Sequence, residues 1–192
     1  MATEEKGGAK SDTDSEASFD NEELAKEFFE TVKERLLDVN NWHKRAGQAT
    51  AKFTLTDNSG VEVQRSVQEG DHFKIDIPGP GTATGDGYDW VRVESINDDA
   101  TSLSITVRPA TNPTNDKKDI AHFFSDEATS CFEVKREGNK VIAAVHGRNE
   151  KPNTGAEKTT DKARNAAVAS GAIGGFSKLQ WKSLVNGLVE KD

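Results

Sequence analysis

The chain lacks the cysteines from which disulfide-braced folds and thiolate metal sites are built. Its only cysteine is Cys131, so no internal disulfide can form and no cluster of thiolates can bind a metal. It also lacks a run of about 18 apolar residues, the length that a membrane-spanning helix requires. Its N-terminus has no apolar stretch of the signal-peptide type. These absences predict a cytoplasmic protein without a membrane span.

An excess of positive charge is absent as well. The net charge is −8, and residues 1–27 carry nine acids and three bases, so −6 of it lies there and only −2 in the rest of the chain. Proteins bind a phosphate backbone through a positive patch or stripe, and neither part of this chain offers one. Nucleic acid is therefore not an expected partner.

The apolar content is low for the length of the chain. Apolar residues make up 33% and charged residues 30% of the 192 residues, which favours one folded domain with polar additions over a compact enzyme. Residues 1–18 have no apolar spacing and predict a disordered acidic tail. Residues 19–192 are predicted to form a single domain, whose thermal stability should not depend on residues 1–17.

An amphipathic helix is predicted over residues 20–45. Asp20 is suited to cap its N-terminus, with Glu23 three residues later as the reciprocal capping partner. Gly47 is suited to end it. One apolar stripe follows at helical spacing: Leu24, Phe28, Val32, Leu36 and Val39.

Short strand patterns fill the middle of the chain, and two helical segments follow within residues 158–190. The strand patterns, separated by turn residues, cover residues 51–55, 61–67, 72–77, 88–96, 102–108, 129–136 and 140–148. Together these patterns predict an α+β fold. It consists of an N-terminal helix, a curved antiparallel β-sheet or small barrel of about seven strands within residues 50–148, and C-terminal helices packed on it.

A glycine-rich loop, residues 78–87, is the most distinctive segment. It holds four glycines and two prolines between two strand patterns, so it is expected at the surface, where binding loops are displayed. It leads into a strand rather than a helix and lacks the lysine of a phosphate-binding P-loop, which argues against a nucleotide. A plain flexible connection and a loop that contacts a partner or ligand both remain open.

Three residues at the exit of this loop are candidates for binding. Strand alternation places Tyr88, Trp90 and Arg92 on one face and Val91 and Val93 on the other. If the two valines face the core, Trp90 is exposed and is a good binding residue. If Trp90 is buried, a plain connection is the favoured reading of the loop.

A second group of candidates ends the last strand pattern. His146 and Arg148 share one strand face and Asn149 follows directly. Arg148 could bind a carboxylate bidentately, and the chain's many acids make an internal partner the favoured reading over a ligand.

No catalytic set is visible. The four histidines are far apart and show no metal-ligand spacing, and no G-x-S-x-G elbow is present. Cys131, beside Phe132, is typical of a small buried hydrophobe with no base at hand. We therefore expect neither enzymatic activity nor a metal or other cofactor.

Two functions are compatible with these observations. The first is a non-catalytic protein-interaction or structural module, a subunit of a larger intracellular assembly that binds protein partners. The alternative is a carrier that holds a small apolar or mixed-polarity ligand in a cavity between the sheet and the C-terminal helix. An enclosed pocket would favour the carrier, whereas a solid core with exposed Trp90 or Trp42 would favour the interaction module.

Overall fold

The computed structural model describes residues 7–47, 50–79, 81–157, 159–173 and 176–191. These residues form one antiparallel sheet of seven strands, in the order β1-β7-β6-β5-β4-β3-β2, and four α-helices. In chain order the elements are β1 (Ala9–Ser18), α1 (Glu22–Leu37), α2 (Trp42–Ala46), β2 (Lys52–Thr56), β3 (His72–Asp76), β4 (Asp89–Asp99), β5 (Ser102–Pro109), β6 (Thr129–Glu137), β7 (Lys140–Glu150), α3 (Thr159–Ile173) and α4 (Phe176–Leu188). The predicted α+β fold with a curved antiparallel sheet is confirmed.

The prediction of a disordered tail is wrong for residues 9–18, because they form the edge strand β1. This strand pairs antiparallel with β7 along its whole length, from Ala9 opposite Glu150 to Ser18 opposite Lys140. Thr13 and Ala17 point inward and are buried, while the acids between them face solvent. The expectation that residues 1–17 add nothing to stability therefore no longer holds. Residues 1–6 lie outside the described residues.

The predicted helix over residues 20–45 is two helices with a break between them. Asn21, not Asp20, caps α1, since its side chain accepts a hydrogen bond from the Leu24 amide (2.9 Å). A 3₁₀ turn (Val39–Asn41) separates α1 from α2. The break coincides with a contact to the sheet, because Asn40 in the 3₁₀ turn accepts at Oδ1 from the Leu55 amide of β2 (2.8 Å).

Residues 61–67 form no strand, which corrects the prediction there. Asp57 accepts at Oδ1 from the amides of Ser59 (2.9 Å) and Val61 (3.0 Å) and so folds the chain into a tight turn. Only an isolated bridge between Thr56 and Glu62 follows. Val61 is exposed, whereas Val63 packs against the core and Val67 lies in it, so the segment contributes to the core without forming a strand.

Helices α1, α2 and α4 pack on one face of the sheet, and we call the space between them and the sheet the groove. Five aromatic side chains meet in it: Trp42, Phe53, Phe73, Phe132 and Trp181. Ring centroids lie 4.8 Å apart between Trp42 and Phe132 and 5.3 Å apart between Phe132 and Trp181. This aromatic cluster fills the groove beneath α4 with side chains. None of the described helices is long and apolar enough to cross a membrane.

Candidate functional site

One end of the groove is polar, and its central group is Asp89. In the register of β3 and β4, Asp89 lies opposite Ile75 just as Val91 lies opposite Phe73. Because Phe73 and Val91 belong to the core, Asp89 shares their face and points into the groove. A carboxylate on the inward face of a sheet needs partners in the interior.

The partner of Asp89 is Arg164, from α3. Arg164 donates through Nη2 to Asp89 Oδ1 (2.7 Å) and through Nη1 to Oδ2 (3.0 Å), and the Phe123 amide donates to the same Oδ2 (2.9 Å). The arginine side chain is 7% exposed and the aspartate 1%. A bidentate ion pair of this kind, removed from water, fixes where α3 sits relative to the sheet.

His122 is buried beside this ion pair. Its Nδ1 accepts from the Phe124 amide (2.9 Å), so the proton of the neutral ring is on Nε2. Burial lowers the pKa of His122 from 6.5 to about 4; the Asp89 carboxylate opposes this shift and the Arg164 guanidinium adds to it. The ring is therefore neutral at physiological pH.

Two asparagines complete the arrangement. Asn153 donates through Nδ2 to the carbonyl oxygens of Ile120 (2.9 Å) and His122 (3.0 Å), and Asn165 of α3 donates to the Asn153 carbonyl (3.2 Å). Both asparagines are buried. We call these five residues the mouth network: Asp89, His122, Asn153, Arg164 and Asn165.

The glycine loop lies next to the mouth network and holds a carboxylate of α3. Asp161 accepts from the amides of Ala83 (2.9 Å) and Thr84 (3.0 Å) and from the Thr84 hydroxyl (2.8 Å). The Asp161 residue is only 3% exposed. The predicted loop is thus fixed against α3, and residue 80 within it lies outside the described residues.

Trp90 is 2% exposed, which corrects its placement as an exposed binding residue. The loop folds over its ring, and Nε1 donates to the Gly85 carbonyl (3.3 Å). Both faces of β4 are therefore buried here, because Val91 lies in the core on the other side. Tyr88 is half-buried under the Lys74 ammonium, which lies 4.3 Å from its ring centroid. Arg92 is exposed.

The second predicted group lies on the outer face of the sheet, three strands away from β4. Asp12 Oδ1 is hydrogen-bonded to His146 Nδ1 (2.6 Å) and accepts from Arg148 Nη2 (2.7 Å). Asp12 is therefore the internal acid that was predicted to pair with Arg148. Partial burial raises the pKa of Asp12, but these hydrogen bonds outweigh it and hold the pKa below 3.8. Asn149 is buried with a left-handed φ of 55° where β1 and β7 shift register. The structure does not bring this group together with the glycine loop.

The sequence reasoning missed Asp89, Asp161 and Arg164. A usable signal is present in α3, whose inward positions 161, 164 and 165 are polar rather than apolar. A helix with a polar inward stripe must be held by hydrogen bonds or ion pairs. The sequence does not say which residues supply them.

Comparison with known proteins places the fold but not the family. No protein-family model matches the chain, and no curated protein does. A hypothetical protein from Helicobacter pylori superposes with a TM-score of 0.51 at 14% identity, over 93% of this chain and 86% of that one. A Bacillus halodurans protein (TM-score 0.44, 16% identity, 94% and 97% covered) and norcoclaurine synthase from Thalictrum flavum (0.44, 7%, 96% and 96%) also align.

The likeness to the Helicobacter pylori protein is one of fold alone. Together with the strand order and the helices held against one face, it identifies this chain as an α+β protein of the helix-grip type.

Proposed function

We propose that the protein is a non-catalytic binding protein that takes a small molecule at the polar end of its groove, beneath α3. The observation that carries this proposal is the buried ion pair of Asp89 and Arg164, through which α3 closes onto the sheet. In this proposal α3 is a lid, and the mouth network is the inner wall of the site.

The chemistry of this closure favours a movable lid rather than a permanent contact between α3 and the sheet. Removing two charges from water is costly, and well-packed apolar side chains would hold a helix at least as well as a buried ion pair. When a polar closure opens, water and ligand groups can satisfy the freed atoms, whereas an exposed apolar face would stay unfavourable. Among the described α3 side chains, the fully buried apolar one is Ala169, which packs with Phe124 and Ala128.

The opened site would offer both signs of charge and both kinds of hydrogen-bonding group. Asp89 and the Asn153 backbone carbonyl, which Asn165 of α3 leaves on opening, accept, and Arg164 donates. The aromatic cluster occupies the rest of the groove, so the ligand is a small molecule of mixed polarity at the mouth rather than a long apolar one inside.

Cys131 and His122 are the two residues that most resemble catalytic ones, and the environment of each is compatible with a binding role. Burial raises the pKa of the Cys131 thiol above its usual value of 9.0, which disfavours the thiolate that acts as a nucleophile. The lowered pKa of His122 makes its ring a weak base. Its Nδ1 already accepts a hydrogen bond from the Phe124 amide. We propose that neither residue catalyses a reaction.

The protein-interaction module stays a prediction. An exposed Trp90 or Trp42 would have favoured it, and both are buried. Among the α4 side chains whose burial the structure describes, Leu179 is the large apolar one that is exposed, at 72%, and one exposed leucine does not by itself define a partner.

Native mass spectrometry of protein gently purified from the cells that make it tests the proposal. We expect a small nonprotein mass that is released on denaturation. It should be present with wild-type protein and absent or reduced with Arg164→Gln, because that variant loses the bidentate contact of the mouth.

Arg148→Gln is the matched control, since it removes an arginine that pairs with an aspartate on the outer face. Far-UV circular dichroism would establish that both variants are folded. The absence of any bound mass from wild-type protein, or equal loading of the Arg164 variant, would contradict the proposal. Copurifying polypeptides would instead favour the interaction module.

A further inference from the structure

We propose that the glycine loop is a carboxylate-binding site, which Asp161 occupies in the closed form and which the carboxylate of a ligand occupies when α3 opens. This inference rests on the proposed function, because it names the ligand class of the same site. It starts from the three donors that converge on Asp161, and we call these donors the cradle: the Ala83 amide, the Thr84 amide and the Thr84 hydroxyl.

The cradle binds a carboxylate in the closed form. Each oxygen of Asp161 accepts from one backbone amide, at 2.9 and 3.0 Å, and one oxygen also accepts from the Thr84 hydroxyl at 2.8 Å. Successive backbone amides that point into one concavity are a recurrent anion-binding arrangement. The occupant comes from α3, 77 residues further along the chain, so it is a separate element inserted into the loop.

The loop holds its shape through its own contacts. Thr82 accepts at Oγ1 from the Gly85 amide and at its carbonyl from the Gly87 amide, both at 2.8 Å. A side chain at position 85 would place its Cβ 1.8 Å from the Tyr88 carbonyl oxygen, so this turn requires glycine. The cradle donors therefore stay aligned when Asp161 leaves.

Neighbouring side chains brace the loop from outside. Asp86, in a left-handed conformation, accepts from Asn115 Nδ2 (2.8 Å) and from Lys117 Nζ (3.0 Å). Neither contact involves α3. An emptied cradle would expose three aligned donors, and an incoming anion satisfies them together.

Access and charge fit a small monoanion. A half-open pocket of about 360 Å³ adjoins the cradle; it is lined by Thr84, Asp116, Lys117, Lys118, Asp119 and Glu157. Departure of Asp161 raises the local charge by one, which a single carboxylate restores. The lining carries three acids and two lysines, a formal charge of −1 that disfavours a dianion. The cradle also has no arginine fork of the kind that suits phosphate.

Asp161 is then an internal competitor. A group held in place by its own chain acts at a high effective concentration, so a simple carboxylate should bind the wild-type protein weakly. A ligand that also contacts the mouth network would gain the additional free energy needed to displace it. This ties the opening of α3 to recognition of the ligand.

Nuclear magnetic resonance titration with sodium acetate tests the cradle directly. In Asp161→Asn, the amides of Ala83 and Thr84 should shift saturably, with a dissociation constant about tenfold or more below that of wild-type protein, since one charge-assisted competitor is gone. Asp116→Asn is the matched control, because it removes an exposed acid of the same pocket without touching the cradle, and it should behave as wild type. Adding Thr84→Val to Asp161→Asn should weaken acetate binding again.

A second measurement needs only wild-type protein, so it stands even if Asp161→Asn does not fold. Hydrogen exchange of the α3 amides should be faster in acetate than in chloride of equal ionic strength. The inference is overturned if the cradle amides do not shift saturably in folded Asp161→Asn, or if α3 exchange is the same in both salts. Equal binding of inorganic phosphate would overturn the assignment to carboxylates.

These results are independent of the native mass measurement. A copurifying small mass without acetate binding would retain the proposed function and overturn this inference. Acetate binding without a copurifying mass would retain the cradle as a carboxylate site and overturn the proposed function.

Discussion

Trp90 holds the glycine loop to the sheet. Its ring is buried, and its Nε1 donates to the Gly85 carbonyl within the loop. We expect Trp90→Ala to lower the free energy of unfolding by about 3–5 kcal/mol, the usual cost of removing a large buried aromatic side chain. Urea unfolding followed by circular dichroism measures this.

Arg92→Ala is the control for Trp90→Ala, because Arg92 lies on the same face of β4 two residues later and is exposed. Its effect should stay within about 0.5 kcal/mol. Similar small effects for both variants would mean that Trp90 does not support the loop.

His122 should make the stability depend on pH. Its pKa is 6.5 when unperturbed and about 4 in the folded protein, so between these values the unfolded chain binds a proton that the folded protein does not. Stability therefore falls as pH is lowered from about 6.5 to 4, by roughly 3 kcal/mol in total at 1.36 kcal/mol per unit. Urea unfolding at several pH values in this window measures the slope.

The difference between wild type and His122→Asn isolates this effect. Asparagine retains an acceptor for the Phe124 amide but does not titrate, so its slope should be flatter. Burial raises the pKa of Glu150 above 4.5, which stabilises the fold as pH falls through that region and therefore acts against His122. His146→Asn, on the outer face, is the control. If His122→Asn leaves the pH dependence of the free energy of unfolding unchanged, that dependence does not come from His122.

At the scale of elements, β1 shows why an edge strand is hard to predict. Its buried inward positions are occupied by the small residues Thr13 and Ala17, and the residues between them are one serine and two acids. Such a strand carries no apolar alternation. What orders it is the register with β7, a strand more than 120 residues away, and local sequence does not encode that pairing.

Adjacent substitutions in β1 test this register. Thr13→Asp places a charge on the buried face opposite Val145 and should lower the free energy of unfolding by about 2–4 kcal/mol. Asp14→Asn, one residue later and facing solvent, should change it by less than about 0.5 kcal/mol. Denaturant unfolding of the pair decides between strand and tail, because a disordered segment would tolerate both changes equally.

The elements with strong local signals were predicted, and the site was not. Helix α1 begins within two residues of the predicted start, although Asn21 rather than Asp20 caps it, and the strands around Phe73, Val107, Phe132 and Val145 lie where they were predicted. Asp89 and Arg164 are 75 residues apart, and neither stands out in a chain that is 30% charged. Alternation predicted an exposed Trp90 if Val91 and Val93 face the core. Both valines do face the core, but the glycine loop covers Trp90, so both faces of β4 are buried there.

At the scale of the whole molecule, the groove has two halves of different character. Beneath α4 it is filled by aromatic rings and by Leu184, Val185 and Leu188. Beneath α3 it is closed by the mouth network and the cradle. Stability should therefore be unevenly distributed, since apolar burial protects one half and hydrogen bonds to a movable helix close the other.

Native-state hydrogen exchange measures this distribution. The α3 amides should open with a free energy at least about 2 kcal/mol below that of α4 and of the β6–β7 ladder. Arg164→Gln should speed the exchange of α3 and leave α4 unchanged, whereas Arg148→Gln should alter neither helix. If α3 and α4 instead open as one cooperative unit, the lid could not move without unfolding the aromatic half, and a ligand could reach the mouth only in the unfolded protein.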